Sequence, residues 1–190
     1  MTTPADLPHR RGVLAIWSPV DGVLGAVAPI ALAAAAGTAL VVDLDPAGPR
    51  YPGTTSLASL VAEGPRRRDL EPGRRGVAVL RNGGVTADAA GDVVAALMCG
   101  WPRVVLRHPP GGRPSGPGIV PVLPLLPGGL FPALSAAVYQ TGPWPMRGPA
   151  GSVLLPRPRA ATIRALLEGR RPVMSRWVRA WRQVWERQWE

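Results

Sequence analysis

Short apolar runs alternate along this chain with longer stretches of apolar and small residues, a rhythm that predicts strands alternating with helices. Gly12-Val-Leu-Ala-Ile-Trp17 is an unbroken apolar run stopped by Ser18-Pro19, the pattern of a buried strand. Residues 18–22 read as a turn. Residues 23–36 are alanine-rich and carry no charge, which predicts a helix with Gly37 as its C-cap. Ala39-Leu-Val-Val-Asp43 predicts a second buried strand. Strand, helix and strand within about thirty residues form the βαβ unit of a parallel sheet.

The alternation continues. Thr54 to Glu63 suits a short helix with Thr54 or Thr55 near its N-cap, and Pro65 to Arg75 reads as a charged loop. Val77 to Leu80 is a strand that stops at Asn82-Gly83-Gly84, and Thr86 to Met98 suits a helix. Strands are expected at Val104–Leu106, at Ile119–Leu123 despite its prolines, and at Ser152–Leu155. Helices are expected at Leu130–Tyr139 and Ala160–Glu168. Pro/Gly/Arg-rich stretches at 109–117, 142–149 and 156–159 connect them. The fold class is α/β: a doubly wound, mostly parallel sheet flanked by helices. Residues 1–11 form a loose N-terminus, 12–170 the α/β domain, and 171–190 a C-terminal segment of different composition.

In that last segment Trp177, Trp181, Trp185 and Trp189 recur every fourth residue, and i,i+4 positions lie nearly above one another on a helix. Val178, Val184 and Met174 fall on or beside the stripe, and Ser175 is a possible N-cap. Arg176, Arg179, Arg182, Gln183, Glu186 and Arg187 occupy the rest. This predicts an amphipathic helix over Met174–Glu190. Its apolar face has three possible fates: its own domain or a homodimer, an anionic membrane surface, or a partner's groove.

Composition narrows the chemistry. The chain has 190 residues, enough for one domain with a real core, and 46% of them are hydrophobic. All 22 basic residues are arginine, and the net charge is +10, which favours acidic partners. The single Cys99 excludes an internal disulfide and fits a reducing compartment. One cysteine and two histidines leave no Cys/His metal site. No catalytic triad is credible: His9 lies in the loose N-terminus and His108 in a proline-bounded loop. Asp88 and Asp92 read as a solvated helix face. Val23–Val42 is charge-free and long enough to span a bilayer, but Pro29, Gly25, Gly37 and its alanine content argue for a buried helix.

Residues 12–47 resemble the start of the ParA/MinD family of deviant Walker A ATPases. In that family a strand leads into a Lys-Gly-Gly-Val-Gly-Lys-Thr-Thr loop and an alanine-rich helix, and the next strand ends in Asp-x-Asp-Pro. Ser18-Pro19, Gly22-Val23 and Asp43-Leu44-Asp45-Pro46 match these positions. Trp101 to Pro110 and Gly118 to Pro124 are similar to later segments of the family, so the resemblance covers about residues 12–125. It implies a P-loop NTPase-like fold.

The departures are chemical. Against the family's loop (here Ser18, Pro19, Val20, Asp21, Gly22, Val23, Leu24, Gly25 and Ala26), the signature lysine falls at Val20 and the phosphate-cradling lysine at Gly25. The magnesium-binding hydroxyl falls at Ala26, and the aspartate closing the fourth strand falls at Arg107. Asp21 adds repulsion and Leu24 adds bulk where backbone should approach phosphate. Catalysis in this class is positioning and charge neutralisation, so these losses remove it. Asp43 and Asp45 remain. The family places the first near the metal and the attacking water, whereas on local grounds they simply end a strand and start a turn.

The expectation is therefore a pseudo-ATPase without cofactor or metal, acting as a localisation or assembly adaptor. It would be cytoplasmic or peripheral at the inner face of the plasma membrane. Attachment would run through the C-terminal helix, by Trp177, Trp181, Trp185, Trp189, Arg176, Arg179 and Arg182, to a partner protein, a second copy or anionic lipid. Two alternatives are a nucleotide-binding switch with little hydrolysis and a basic protein that binds DNA non-specifically, for which Arg66-Arg67-Arg68 and Arg74-Arg75 offer a phosphate-contacting loop.

Overall fold

The computed structural model describes residues 12–70, 76–116, 118–124, 134–140, 151–172 and 174–189. Among the described residues seven strands form one all-parallel sheet in the order β3-β2-β4-β1-β5-β6-β7. They are β1 (Val13–Trp17), β2 (Ala39–Asp43), β3 (Val77–Leu80), β4 (Val104–Arg107), β5 (Ile119–Pro124), β6 (Val138–Gln140) and β7 (Val153–Leu155). The helices are α1 (Val23–Ala36), α2 (Leu57–Glu63), α3 (Arg67–Leu70), α4 (Gly91–Gly100), α5 (Ala160–Leu167), α6 (Arg176–Ala180) and α7 (Arg182–Trp185).

Side chains alternate across the strands and divide the core in two. Val41 of β2 and Ile16 of β1 join α1, Leu166 of α5 and the C-terminal Trp177 and Trp181 on one face. Leu40 and Val42 of β2 join Leu57 and Leu60 of α2 and Val94 and Leu97 of α4 on the other. Helix α1 has no charged residue and is covered on two sides, by the sheet and by α5, α6 and α7. A helix apolar all round is stable only when enclosed in this way. It ends at Gly37, whose φ of +91° strains a residue bearing a Cβ.

Several elements differ from the sequence expectation. Ser56 caps α2, in place of Thr54 or Thr55: its hydroxyl accepts from the Ser59 amide while the Ser59 hydroxyl accepts from the Ser56 amide. Arg67–Leu70 is a short helix within the expected loop, its start held by the Arg66 amide donating to Asp69 Oδ2. Helix α4 begins at Gly91, after a turn over residues 87–90. Val138–Gln140 is a strand where a helix was expected over 130–139, because pairing with Val122–Pro124 of β5 outweighs local propensity. Residues 1–11, 74–75, 130–133 and 142–149 lie outside the described residues.

The tail is two short helices broken at Trp181, where one continuous helix was expected. Helix geometry supplies the reason. Four residues advance a straight helix by about 400°, so a stripe repeating every fourth residue drifts about 40° per step. By Trp189 a single helix would have carried the stripe about 120° away from α1. With the break, the indole N–H of Trp185 donates to Leu32 O of α1 at 2.9 Å, and Trp189 O accepts from the Gly118 amide at 3.2 Å. No helix among the described residues is long and apolar enough to cross a membrane.

Candidate functional site

Ligand crevices of open parallel sheets lie outside the carboxyl ends of the strands, where connections leave in opposite directions. Here that point is between β1 and β4: β1 leads toward β2 and β4 toward β5. The sequence-selected residues gather there. Ser18 is buried, Leu24, Gly25 and Ala26 are half-buried, and Asp21, Gly22, Val20 and Val23 are exposed. Gly22 precedes α1 with no side-chain cap.

Asp43 and Arg107 are register partners at the carboxyl ends of neighbouring strands, and both point to the α1 face. Arg107 Nη1 donates to Asp43 Oδ1 at 2.8 Å and to Asp45 Oδ2 at 2.9 Å. Its Nε lies 3.4 Å from Gly25 O. That acceptor is open for a local reason: Pro29, four residues on, has no N–H to donate back. All three charged side chains are nearly inaccessible, at 5%, 1% and 7% for Arg107, Asp43 and Asp45. Around them the Asp45 amide donates to Asp43 Oδ1 at 3.1 Å and the Asn82 side-chain amide donates to Asp43 O at 3.2 Å. Tyr51 Oη donates to Ala26 O at 2.7 Å.

Burial lifts the Asp43 carboxyl above its ordinary value against the pull of Arg107. Burial alone would depress the Arg107 guanidinium, but Asp43, Tyr51 and Asp45 together hold it above the arginine range. Burial also lifts the Tyr51 hydroxyl, so it donates at all ordinary pH. His108, next in the chain, is pushed below its ordinary value by burial. In geometry the cluster is a guanidinium held between two carboxyl groups. The adjoining cleft, bounded by Ser18, Val20, Asp21, Gly25, Arg107 and His108, leaves space for about one water molecule. Among the described residues no group of three or more His, Cys, Asp or Glu is placed to hold a metal ion.

The tail residues separate into two sets. Trp177 and Trp181 are buried against α1 with ring centroids 5.6 Å apart in an edge-to-face pair, and Trp177 Nε1 donates to Gln140 Oε1 at 2.7 Å. Trp185 and Trp189 are half-buried, with the Arg103 guanidinium 4.7 Å from the Trp185 ring centroid. Arg176, Arg179 and Arg182 are exposed. The apolar stripe therefore faces this chain's own core, and the arginines are what the tail offers outward.

Sequence reading missed the Arg107 bridge and the parts played by Pro29 and Tyr51. One signal was present: a lone charge ends the apolar run Val104-Val-Leu-Arg107, as Asp43 ends Ala39–Val42. Two opposite charges closing buried strands are paired more often than solitary.

No protein-family model matches the chain, and no curated protein matches it in sequence.

Proposed function

We propose that this chain is a degenerate relative of the ParA/MinD family: a P-loop-like pseudo-ATPase that acts without turnover as a cytoplasmic localisation or assembly adaptor. By analogy with that family, the process is partitioning, septum placement, or the positioning of a secretion or pilus machine. The observation that carries the reading is the Arg107 guanidinium seated between Asp43 and Asp45. A nucleotide site needs cationic charge brought by lysine and a metal ion. Here the carboxylates are already neutralised from within, and neither Val20 in the turn before α1 nor Gly25 and Ala26 in its first turn supplies a lysine or a hydroxyl. With Trp177 and Trp181 turned inward, attachment to a partner protein or to an anionic membrane falls to Arg176, Arg179 and Arg182.

Calorimetric titration with magnesium and ATP, alongside phosphate-release measurements, tests this: neither binding heat nor turnover is expected. Saturable binding would favour the nucleotide switch instead. A second reading draws on charge. Between residues 151 and 189 nine arginines stand against two glutamates, all exposed, a footprint that suits phosphodiester backbone. Retention on duplex DNA that falls steeply with salt, and is lost on reversing Arg176, Arg179 and Arg182 to glutamate, would favour it.

A further inference from the structure

The loop after β2 and the first turns of α1 are tied together by this chain's own side chains. Gly25 O and Ala26 O, consecutive carbonyls of α1, accept from Arg107 Nε and Tyr51 Oη. The same guanidinium reaches Asp43 at the end of β2 and Asp45 in the loop. Asp45 in turn closes the loop locally: its Oδ1 accepts from the Ala47 amide and its backbone O from the Gly48 amide, both at 3.0 Å. Gly48 packs so closely on this centre that a Cβ would stand 2.5 Å from Arg107 Nη1 and 2.5 Å from Asp43 Oδ2. Four parts of the chain, β2, β4, the loop and α1, meet on one buried cation.

We propose that Arg107 is a resident cation that locks the loop Leu44–Tyr51 onto α1, so that the carboxyl end of the sheet keeps one conformation without any ligand. In a ligand-dependent switch, such a loop orders only when an external charged group bridges it to its neighbours. Here the bridging group is a side chain of β4 and never dissociates. Pro29 and Gly48 are its positioning residues: one frees the carbonyl that Nε takes, and the other leaves the space that Nη1 fills. The lock deepens the reading of a chain that does not switch and rests on it, but the two fail differently.

Hydrogen exchange on the full chain, read by mass spectrometry, tests the lock. In wild type, amides over residues 24–30 and 44–52 are expected to be protected, with no change on adding magnesium and ATP. Arg107→Gln should speed exchange there on the order of a hundredfold, while residues 119–124 of β5 keep their protection. Arg107→Lys, which retains the charge without the fork, should fall between. Should Arg107→Gln fail to fold, Arg107→Lys decides, because it keeps a cation beside the two acids and loses the Nε bond to Gly25 O. Its loop exchange should rise about tenfold. Loop exchange at the wild-type rate in Arg107→Lys, and in Arg107→Gln where it folds, sinks the lock and leaves the pseudo-ATPase reading standing. ATP-dependent protection of residues 44–52 in wild type sinks both.

Discussion

Asp43 and Arg107 stand opposite one another on adjacent parallel strands, and their side chains close an ion pair of 2.8 Å that water scarcely reaches. Each charge is tolerable because the other is there. Removing the cation alone leaves two buried carboxylates without a counter-ion. Arg107→Leu should therefore destabilise the fold by about 3–5 kcal/mol. The triple variant Asp43→Asn, Asp45→Asn, Arg107→Leu should cost clearly less than Arg107→Leu, since no uncompensated charge remains. Urea denaturation of the two proteins checks this, and a triple variant weaker than Arg107→Leu would contradict it.

His108 makes stability depend on pH. Burial holds its imidazole below the ordinary 6.5, so the folded chain binds fewer protons than the unfolded chain as pH falls from that value. Its contribution is fully present above 6.5 and is lost as pH falls through the depressed folded value. Thermal midpoints measured between neutral and mildly acidic pH should decline more steeply for wild type than for His108→Gln. Parallel curves would show that His108 does not titrate in this way.

Gly48 is confined by its neighbours and not by its own backbone. A methyl group there would meet Arg107 Nη1, Asp43 Oδ2 and, at 2.9 Å, Asp45 O. Gly48→Ala should cost about 1–3 kcal/mol, the usual penalty of forcing extra volume into a packed site. Chemical denaturation gives the value, and a neutral or stabilising result would mean that the loop yields freely.

The tail should behave as core on one side and as surface on the other. Trp181 is fully buried and packs edge-to-face on Trp177. Trp181→Ala should cost about 3–5 kcal/mol, whereas Arg179→Ala, on an exposed position, should stay within about 0.5 kcal/mol. Equal effects in denaturant melts would refute the inward orientation of the tryptophans.

How far the chain could be read depends on what holds each part. β1, α1 and β2 were legible almost to the residue, because charge-free runs are bounded there by Ser18-Pro19, Gly22 and Gly37. The strand at Val138–Gln140 was not legible: its reason for being extended is β5, which lies elsewhere in the chain. The Trp period announced an amphipathic segment, but the break at Trp181 depends also on where α1 lies, which the period does not place. Asp43 and Asp45 were legible as a motif. Their partner was not, because pairing across β2 and β4 is a matter of strand order.

Trp185 donates to Leu32 across 153 positions of chain, which bears on how the protein is made. On the ribosome, α1 emerges as an apolar rod long before the indoles that sheathe it. Through that interval one flank of the nascent sheet stays bare, and contacts so distant in sequence form late and leave the intermediate prone to clumping. That flank stays uncovered until the segment carrying Trp185 has been translated.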